Sequence, residues 1–588
     1  MMRAGNVGLP KFESTMTPSL TLRAALALSA AALFTPGPTV AQPAEPAIRS
    51  LAVQAAKSST PPSGPYDERG WLDRFYGPRK YARAWNAQTA AAALWVLRRA
   101  ALQGLDPDDY DLDPLQQQLR DGQADTARFD VALTSAMLRY LADLRVGRVR
   151  SEYHTRLPDA RLKAYDPVER LRAGLAGGRL QTAVQAAEPP LRLYAQAKAA
   201  LAHYRELAKA PYPPLAKPPA KVKPGGAYPD AAALFERLVL LGDLPADAPP
   251  PPDGVYSEGV EEGVRRFQAR HGIDEDGVLG RGTIDALNVS PAWRAHQLEL
   301  TLERLRWLPD VGKGPLIVVD LPAYRLWALQ NGGNGPGKED APLEMRVVVG
   351  TALKTETPLF VGQMRYLEFN PYWNVPRSIL EKELLPKIAR NPNYLAQNDM
   401  ETVPPGASMA DLRAGRARVR QRPGPKNALG AVKFAMPNPM DIYLHSTPAR
   451  ESFERSRRDL SHGCIRVEHP AALAQFVLDR ERQWNADSIQ DALQPGPMRH
   501  VDLARPIPVV IFYATAIADG DGSPRFAADI YARDAKLTQE LALRHGRLGA
   551  AAGHTAADAP DAAAVTPSAE PAAAPARPGM HGRGKAAR

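Results

Sequence analysis

Ser461-His462-Gly463-Cys464-Ile465-Arg466 holds the only cysteine of the 588-residue chain. A lone thiol framed by a hydroxyl, an imidazole and a glycine, with a fixed cation two residues on, reads as a nucleophile. Cysteine attacks as the thiolate, with a free pKa near about 8.5, so the neighbours that draw off its proton decide whether it reacts at neutral pH. His462 and His445 are the near candidates. A single cysteine is otherwise a small buried hydrophobe. Gly463 weakens that reading, because a glycine beside the thiol lets the backbone approach a ligand closely and aim successive amides at one point.

Working outward, Ala431-Val432-Lys433-Phe434 and Asp441-Ile442-Tyr443-Leu444-His445 read as short strands about a Pro437-Asn438-Pro439 turn. His445 then sits at a strand end, before Ser446-Thr447-Pro448. Cys464 follows an Arg-rich loop and precedes a helix expected from Pro470 to Gln483, whose first turn begins several residues late for a full dipole effect on the thiol. Arg466 carries a planar fork of donors, suited to a substrate carboxylate or to a structural ion pair. Arg450, Arg455, Arg457 and Arg458 read as a solvated face. His445, His462, Cys464 and His469 could in principle ligate a metal, but the spacing is too tight for a typical zinc site, and neither metal nor cofactor is expected.

These residues resemble a known signature. His445-Ser446 followed by Ser461-His462-Gly463-Cys464-Ile465-Arg466 resembles the active-site pattern of L,D-transpeptidases with the YkuD fold. Val347-Val348-Val349-Gly350-Thr351 with Thr357-Pro358 is similar to the strand and turn that open that catalytic domain. Asn370-Pro371-Tyr372-Trp373-Asn374-Val375-Pro376 looks like the entry to the capping lid of the large, YcbB-type members. The resemblance implies that Cys464 attacks the carbonyl between residues three and four of a peptidoglycan stem, expels D-alanine and holds the tripeptide as a thioester. His445 would be the general base, oriented by the Ser446 backbone carbonyl. The amides of Gly463 and Cys464 would receive the oxyanion, with the Tyr443 hydroxyl as an added donor and His462 shaping the pocket. Arg466 and Trp373 are the substrate-binding candidates, and Trp373 is also read as an anchor at the base of the lid.

Near the amino terminus, Arg23 precedes an apolar run, Ala24 to Phe34, too short to span a bilayer. It reads as a secretion signal cleaved after Ala41, with Met1 or Met16 as the start, and implies a periplasmic protein with no membrane span in its mature form. An unpaired thiol suits that oxidising compartment, since no second cysteine competes for it. Residues 42–65 are rich in Ala, Pro and Ser and read as a linker; residues 550–588 lack the apolar content to pack and read as a disordered tail.

Between these ends several domains are expected. Leu94, Leu97 and Ala101 before Gly104, and Leu133, Met137, Tyr140, Leu141 and Leu144 before Gly147, pattern as helices, and Phe75-Tyr76, Gly104-Leu105 and Tyr140 to Val149 resemble the helical scaffold domain of the YcbB-type members, expected over 66–225. The Pro-rich run from Pro211 to Pro224 reads as a stiff extended connector. Residues 226–290 resemble a three-helix peptidoglycan-binding module, with Val260, Val264, Phe267, Ile284 and Leu287 as core and an Asp276-Gly277 turn. Ser290-Pro291 starts a connecting helix over 291–313 with Leu298, Leu302, Leu305 and Leu308 on one side. From 314 to 535 strand signals dominate (316–321, 324–329, 343–350, 363–369, 506–516), interrupted by a helix-prone lid over about 377–420. The expected fold is therefore multidomain: a helical scaffold, a small three-helix binding domain and a mostly β catalytic domain with a helical lid.

The formal net charge of +10 includes the amino-terminal signal and the basic tail, so nucleic acid is a poor partner, whereas anionic envelope polymers attract a basic exported protein. The expected activity is formation of 3-3 cross-links, with the tetrapeptide donor, the diamino-acid acceptor and other wall-synthesis proteins as partners, acylation of Cys464 by carbapenems, and a role in cell shape. With water as acceptor, the same site would act as an L,D-carboxypeptidase or hydrolyse a lipoprotein–peptidoglycan link. A non-catalytic wall-binding scaffold is the third reading, disfavoured by the intact nucleophile and base.

Overall fold

The computed structural model describes residues 44–57, 66–153, 165–309, 314–330, 342–481, 483–518 and 522–544. The expected signal and tail lie outside the described residues. The first helix, Ala44–Lys57, corrects the reading of 42–65 as linker: Ile48 and Ala52, one turn apart, are buried against the scaffold.

The scaffold is helical, as its periodicity predicts. Asn86 and Thr89 form a capping box at the Ala87–Arg98 helix, and the Thr126 side chain takes the Phe129 N–H to start Ala127–Val146. Leu133, Met137, Tyr140, Leu141 and Leu144 of that helix are all buried. Its two buried carboxylates are satisfied: Asp130 accepts from Tyr76 Oη at 2.6 Å and from the Trp85 N–H at 3.0 Å, and Asp143 accepts from Tyr110 Oη at 3.0 Å and pairs with Arg544 at 2.8 Å.

The binding module has its three helices, Ala231–Leu240, Glu258–Arg270 and Arg281–Leu287, around the expected core. The Pro-rich run before it is not a free connector. Leu215 is buried in the module, Tyr212 Oη donates to Leu287 O at 2.8 Å, and Val222 bridges Leu279.

The helix Pro291–Trp307 was expected to join two domains with one apolar side, but it is buried on nearly every side. It packs on the scaffold helix Arg192–Leu207 and on the carboxy-terminal helix Arg533–Arg544, and Thr301 donates to Ala516 O at 2.7 Å. Arg148, Glu303 and Arg306 form a buried ion-pair chain with contacts of 3.1 Å, and Arg304 meets Asp534 at 2.6 Å.

In the catalytic domain, strands β1 (Leu316–Asp320), β2 (Arg325–Leu329), β3 (Leu343–Gly350), β4 (Phe360–Phe369), β5 (Trp373–Asn374), β6 (Met400–Val403), β7 (Arg418–Gln421), β8 (Val432–Ala435), β9 (Leu444–His445), β10 (Asp459–Ser461), β11 (Ile465–Val467), β12 (Arg499–Phe512), β13 (Ala516–Ala518) and β14 (Pro524–Phe526) alternate with short helices. The main sheet runs β10-β3-β11-β9-β8-β4-β12-β1-β2, and β2 also pairs with β3, so the sheet closes on itself around a core that includes Val347, Leu367, Phe434, Leu444 and Ile465. Strand β12 begins earlier than expected and carries Pro506 within a register shift between Asp502 and Ile507, where a missing N–H is tolerated. The helix after Arg466 stops at Leu478, and Asn485 caps a separate one, Ala486–Leu493.

The lid insert leaves the barrel after β4 and returns at β8. It is not helical throughout: β5, β7 and β6 form an antiparallel sheet beside short helices, over a core of its own that includes Leu380, Leu384, Leu412 and Val419.

Candidate active site

Parallel pairing of β9 with β11 sets the site. Leu444 lies opposite Ile465 and His445 opposite Arg466, and the Ile465 N–H donates to Tyr443 O at 3.1 Å, which places Cys464 beside Tyr443. Leu444 and Ile465 are fully buried in the core, so strand alternation puts Tyr443, His445, Cys464 and Arg466 together on the opposite face. Cys464, immediately before β11, and His445 on β9 are diagonal neighbours across this parallel pair. One strand further, Lys433 lies opposite His445 and joins the same face.

His445 is buried, and its Nδ1 lies 2.6 Å from the Ser446 carbonyl oxygen. A carbonyl only accepts, so the proton sits on Nδ1 and the lone pair of Nε2 is the basic site. Burial, with Arg466 and Lys433 nearby, outweighs the Ser446 and Leu429 carbonyls and lowers the imidazole to about 3, so the ring is neutral at physiological pH. The Ser446 hydroxyl is spent on structure: it donates to Leu429 O at 3.0 Å and accepts from the Val432 N–H at 3.1 Å.

Cys464 is half-buried, with Sγ 3.5 Å from the Asp441 carbonyl oxygen. Burial pushes the thiol up, partly offset by Tyr443 and Lys433. The helix dipole does not act on it, because β11 intervenes before the helix starts at Pro470. Among the described residues the Cys464 N–H has no hydrogen-bond partner. The Gly463 N–H, expected beside it as an oxyanion donor, instead donates to Ser461 Oγ at 3.1 Å. Gly463 has φ +114°, open to glycine, and its carbonyl accepts from Thr357 Oγ1 at 2.8 Å, while Ser461 Oγ donates to Cys464 O at 2.6 Å. Sequence reasoning missed Thr357 as a clamp on this loop.

Tyr443 carries a hydroxyl held well above the ordinary phenol range by burial and by Cys464, with Trp373 acting in the other direction, so it stays a donor. Trp373 is thus half-buried between the lid core and the cysteine face. His462, expected to shape the pocket, has Nε2 2.5 Å from Glu383 Oε1 on the lid. Arg466 is half-buried, and among the described residues its guanidinium has no ion-pair or hydrogen-bond partner; burial lowers it, with Glu451 and Cys464 acting in the other direction. No group of three or more His, Cys, Asp or Glu that could hold a metal occurs among the described residues.

Residues 314–506 match the family model described as "YkuD: L,D-transpeptidase catalytic domain", residues 70–201 that described as "Scaffold domain", and residues 228–287 that described as "Putative peptidoglycan binding domain". A "Putative L,D-transpeptidase" of Haemophilus influenzae is 32% identical over 251 residues, 41% of this chain and 49% of that protein, so the chain spans about half the length of this curated relative. Among solved structures, an L,D-transpeptidase from Stackebrandtia nassauensis aligns at 15% identity and a TM-score of 0.21, covering 51% of this chain and 96% of that one. One from Xylanimonas cellulosilytica aligns at 15% and 0.16, covering 50% and 100%. With the closed β domain, its lid and the three-helix module already in place, these matches identify a multidomain chain that carries a YkuD L,D-transpeptidase catalytic domain together with a scaffold domain and a peptidoglycan-binding domain.

Proposed function

We propose that this chain is a periplasmic, exported cysteine acyltransferase that makes 3-3 cross-links in peptidoglycan. The observation that carries the reading is the shared face of Tyr443, His445, Cys464 and Arg466, where a free amide and an unpartnered guanidinium adjoin a thiol and a neutral imidazole. Cys464 Sγ bonds to the carbonyl carbon between residues three and four of a donor stem as its proton passes to His445 Nε2. The oxygen of the tetrahedral intermediate is received by the Cys464 N–H and the Tyr443 hydroxyl. The C–N bond breaks, Nε2 returns the proton to the departing D-alanine amine, and a thioester remains. The side-chain amine of a second stem's diamino acid then gives a proton to Nε2 and attacks the thioester, and the sulfur leaves with that proton. Arg466 holds a stem carboxylate, since a half-buried guanidinium without a partner is costly until an anion reaches it. Trp373 and the lid close over the stems. Carbapenems would acylate the same sulfur.

The test is mass spectrometry of purified protein incubated with disaccharide-tetrapeptide. A thioester mass on the protein, free D-alanine and a cross-linked dimer are expected, and all three vanish in Cys464→Ala. Tripeptide without dimer would make water the acceptor and overturn the cross-linking step; no adduct would overturn the enzyme.

A further inference from the structure

The scaffold, which serves no chemistry in the mechanism above, has a concave site of its own. Of the eight tryptophans, Trp95 alone is exposed, at 48%, and it lines a cavity of about 340 Å³ between the helices Ala87–Arg98, Leu180–Ala187 and Arg192–Leu207. Leu102, 45% exposed, lines the same cavity, so two large apolar groups converge on it. The volume falls in the range of small-ligand sites.

The polar groups around them are arranged and not merely present. The floor is built: buried Gln103 donates to Glu188 Oε1 at 2.6 Å and accepts from Tyr194 Oη at 3.1 Å, and Glu188 also pairs with Lys198. The rim is open: Gln181 and Gln185 stand one helical turn apart, both exposed, and their amides have no partner among the described residues. Arg99 stacks on the Trp95 ring at 4.6 Å, which fixes the indole plane. Lys198 and Glu188 neutralise each other, so the lining carries little net charge. An aromatic plane, a short apolar patch and neutral amides match a pyranose: its C–H face lies on the indole, its hydroxyls meet the glutamines, and an N-acetyl methyl meets Leu102. A strongly anionic ligand would find one cation, already stacked.

We propose that this cavity binds N-acetylhexosamine units, so that the scaffold holds the glycan strand while the β domain acts on its stems; the assignment to a wall glycan rests on the peptidoglycan reading above. The probe is the tetramer of N-acetylglucosamine, which has no stem peptide and so cannot report on Cys464, titrated calorimetrically into the full chain. Binding is expected in the parent and in Cys464→Ala alike. Trp95→Ala should weaken it at least tenfold and Gln185→Ala severalfold, both with unchanged melting temperature, because these side chains are exposed. Absence of binding by the parent at millimolar saccharide overturns the proposal. So does equal binding by Trp95→Ala, which would place the sugar outside this cavity. The thioester mass shift is independent of Trp95, so loss of one reading leaves the other standing.

Discussion

Two sets of charged groups in this molecule are built in opposite ways. Along Pro291–Trp307 three buried charges are ion-paired: Glu303 accepts from Arg148 and Arg306, and Arg304 faces Asp534. On the face of β9 and β11, Arg466 is half-buried with none, and the Cys464 N–H is free among the described residues. Satisfied polar groups in a low-dielectric interior hold elements in register, while unsatisfied ones on a half-open face store affinity for something that is not yet there. The first arrangement should fail in stability and the second in turnover.

The largest effect is expected at Glu303. Glu303→Gln removes the anion that Arg148 and Arg306 share, leaving Arg148 with Asp109 at 3.6 Å, and should cost about 3–5 kcal/mol, read as a lower urea midpoint. The same group gives an acid limit. Burial raises its carboxyl, but Arg148 and Arg306 outweigh this and hold it at about 2, below the unfolded value near about 4.3. The stability it contributes is whole above that unfolded value and is lost as pH falls from there through about 2, because the unfolded chain then binds the proton first. An acid titration of Glu303→Gln should therefore be flatter in that window than the parent's, and equal slopes would remove Glu303 from the account.

Arg466 should behave in the reverse manner. Arg466→Gln is expected to keep the melting temperature within a degree or two, since no bond in the protein is broken. It should raise KM for the stem by roughly ten- to a hundredfold, the worth of about 1.5–3 kcal/mol for a charge-assisted contact. A large fall in melting temperature with KM unchanged would make the guanidinium structural and erase the contrast.

How much of this contrast is legible in the sequence depends on the range of the contacts. The His445 to Arg466 face could be read because the signature is local and strand alternation carries it: Val432 and Phe434 point inward, so Lys433 between them had to face out, and it was missed only because its register against His445 is set by pairing. The Glu303 chain could not be read. Leu298, Leu302 and Leu305 mark one apolar side, and nothing local marks Glu303, Arg304 and Arg306 as buried too, since the partners Arg148 and Asp534 lie more than a hundred residues away. The Ala44–Lys57 helix was hidden for a related reason: an Ala- and Pro-rich stretch gains its order from the scaffold it packs on, not from its own composition. Gly463 shows the limit of a motif, since the signature names the glycine but not the Ser461 hydroxyl that takes its amide.

A third test concerns how the thiol is activated. With the imidazole lowered to about 3 and the thiol pushed up, the resting pair is neutral, and the proton moves only when an acyl carbon arrives. Alkylation of Cys464 by iodoacetamide should then climb through the alkaline range without a plateau near pH 6, and His445→Gln should leave that rate within about threefold while abolishing acyl transfer. A thiolate plateau at neutral pH, lost in His445→Gln, would instead establish a preformed ion pair.

The smallest effect belongs to the lid. His462 and Glu383 meet at 2.5 Å, but both are largely solvated, so the contact is worth at most about 1 kcal/mol. Glu383→Gln should therefore raise amide exchange in the Leu380–Leu384 turn only a few fold, with no change in the melting temperature, and the effect should shrink in high salt as the parent's own contact is screened. The second lid contact, Trp373 packed against the lid core, is half-buried and less sensitive to salt. Exchange in β5 should stay at the parent's level in Glu383→Gln if the two contacts are independent, and should rise with the turn if the lid, with its own core, opens as one body. The second pattern would tie His462, next to Gly463 in sequence, to the whole lid by a contact that costs little to break.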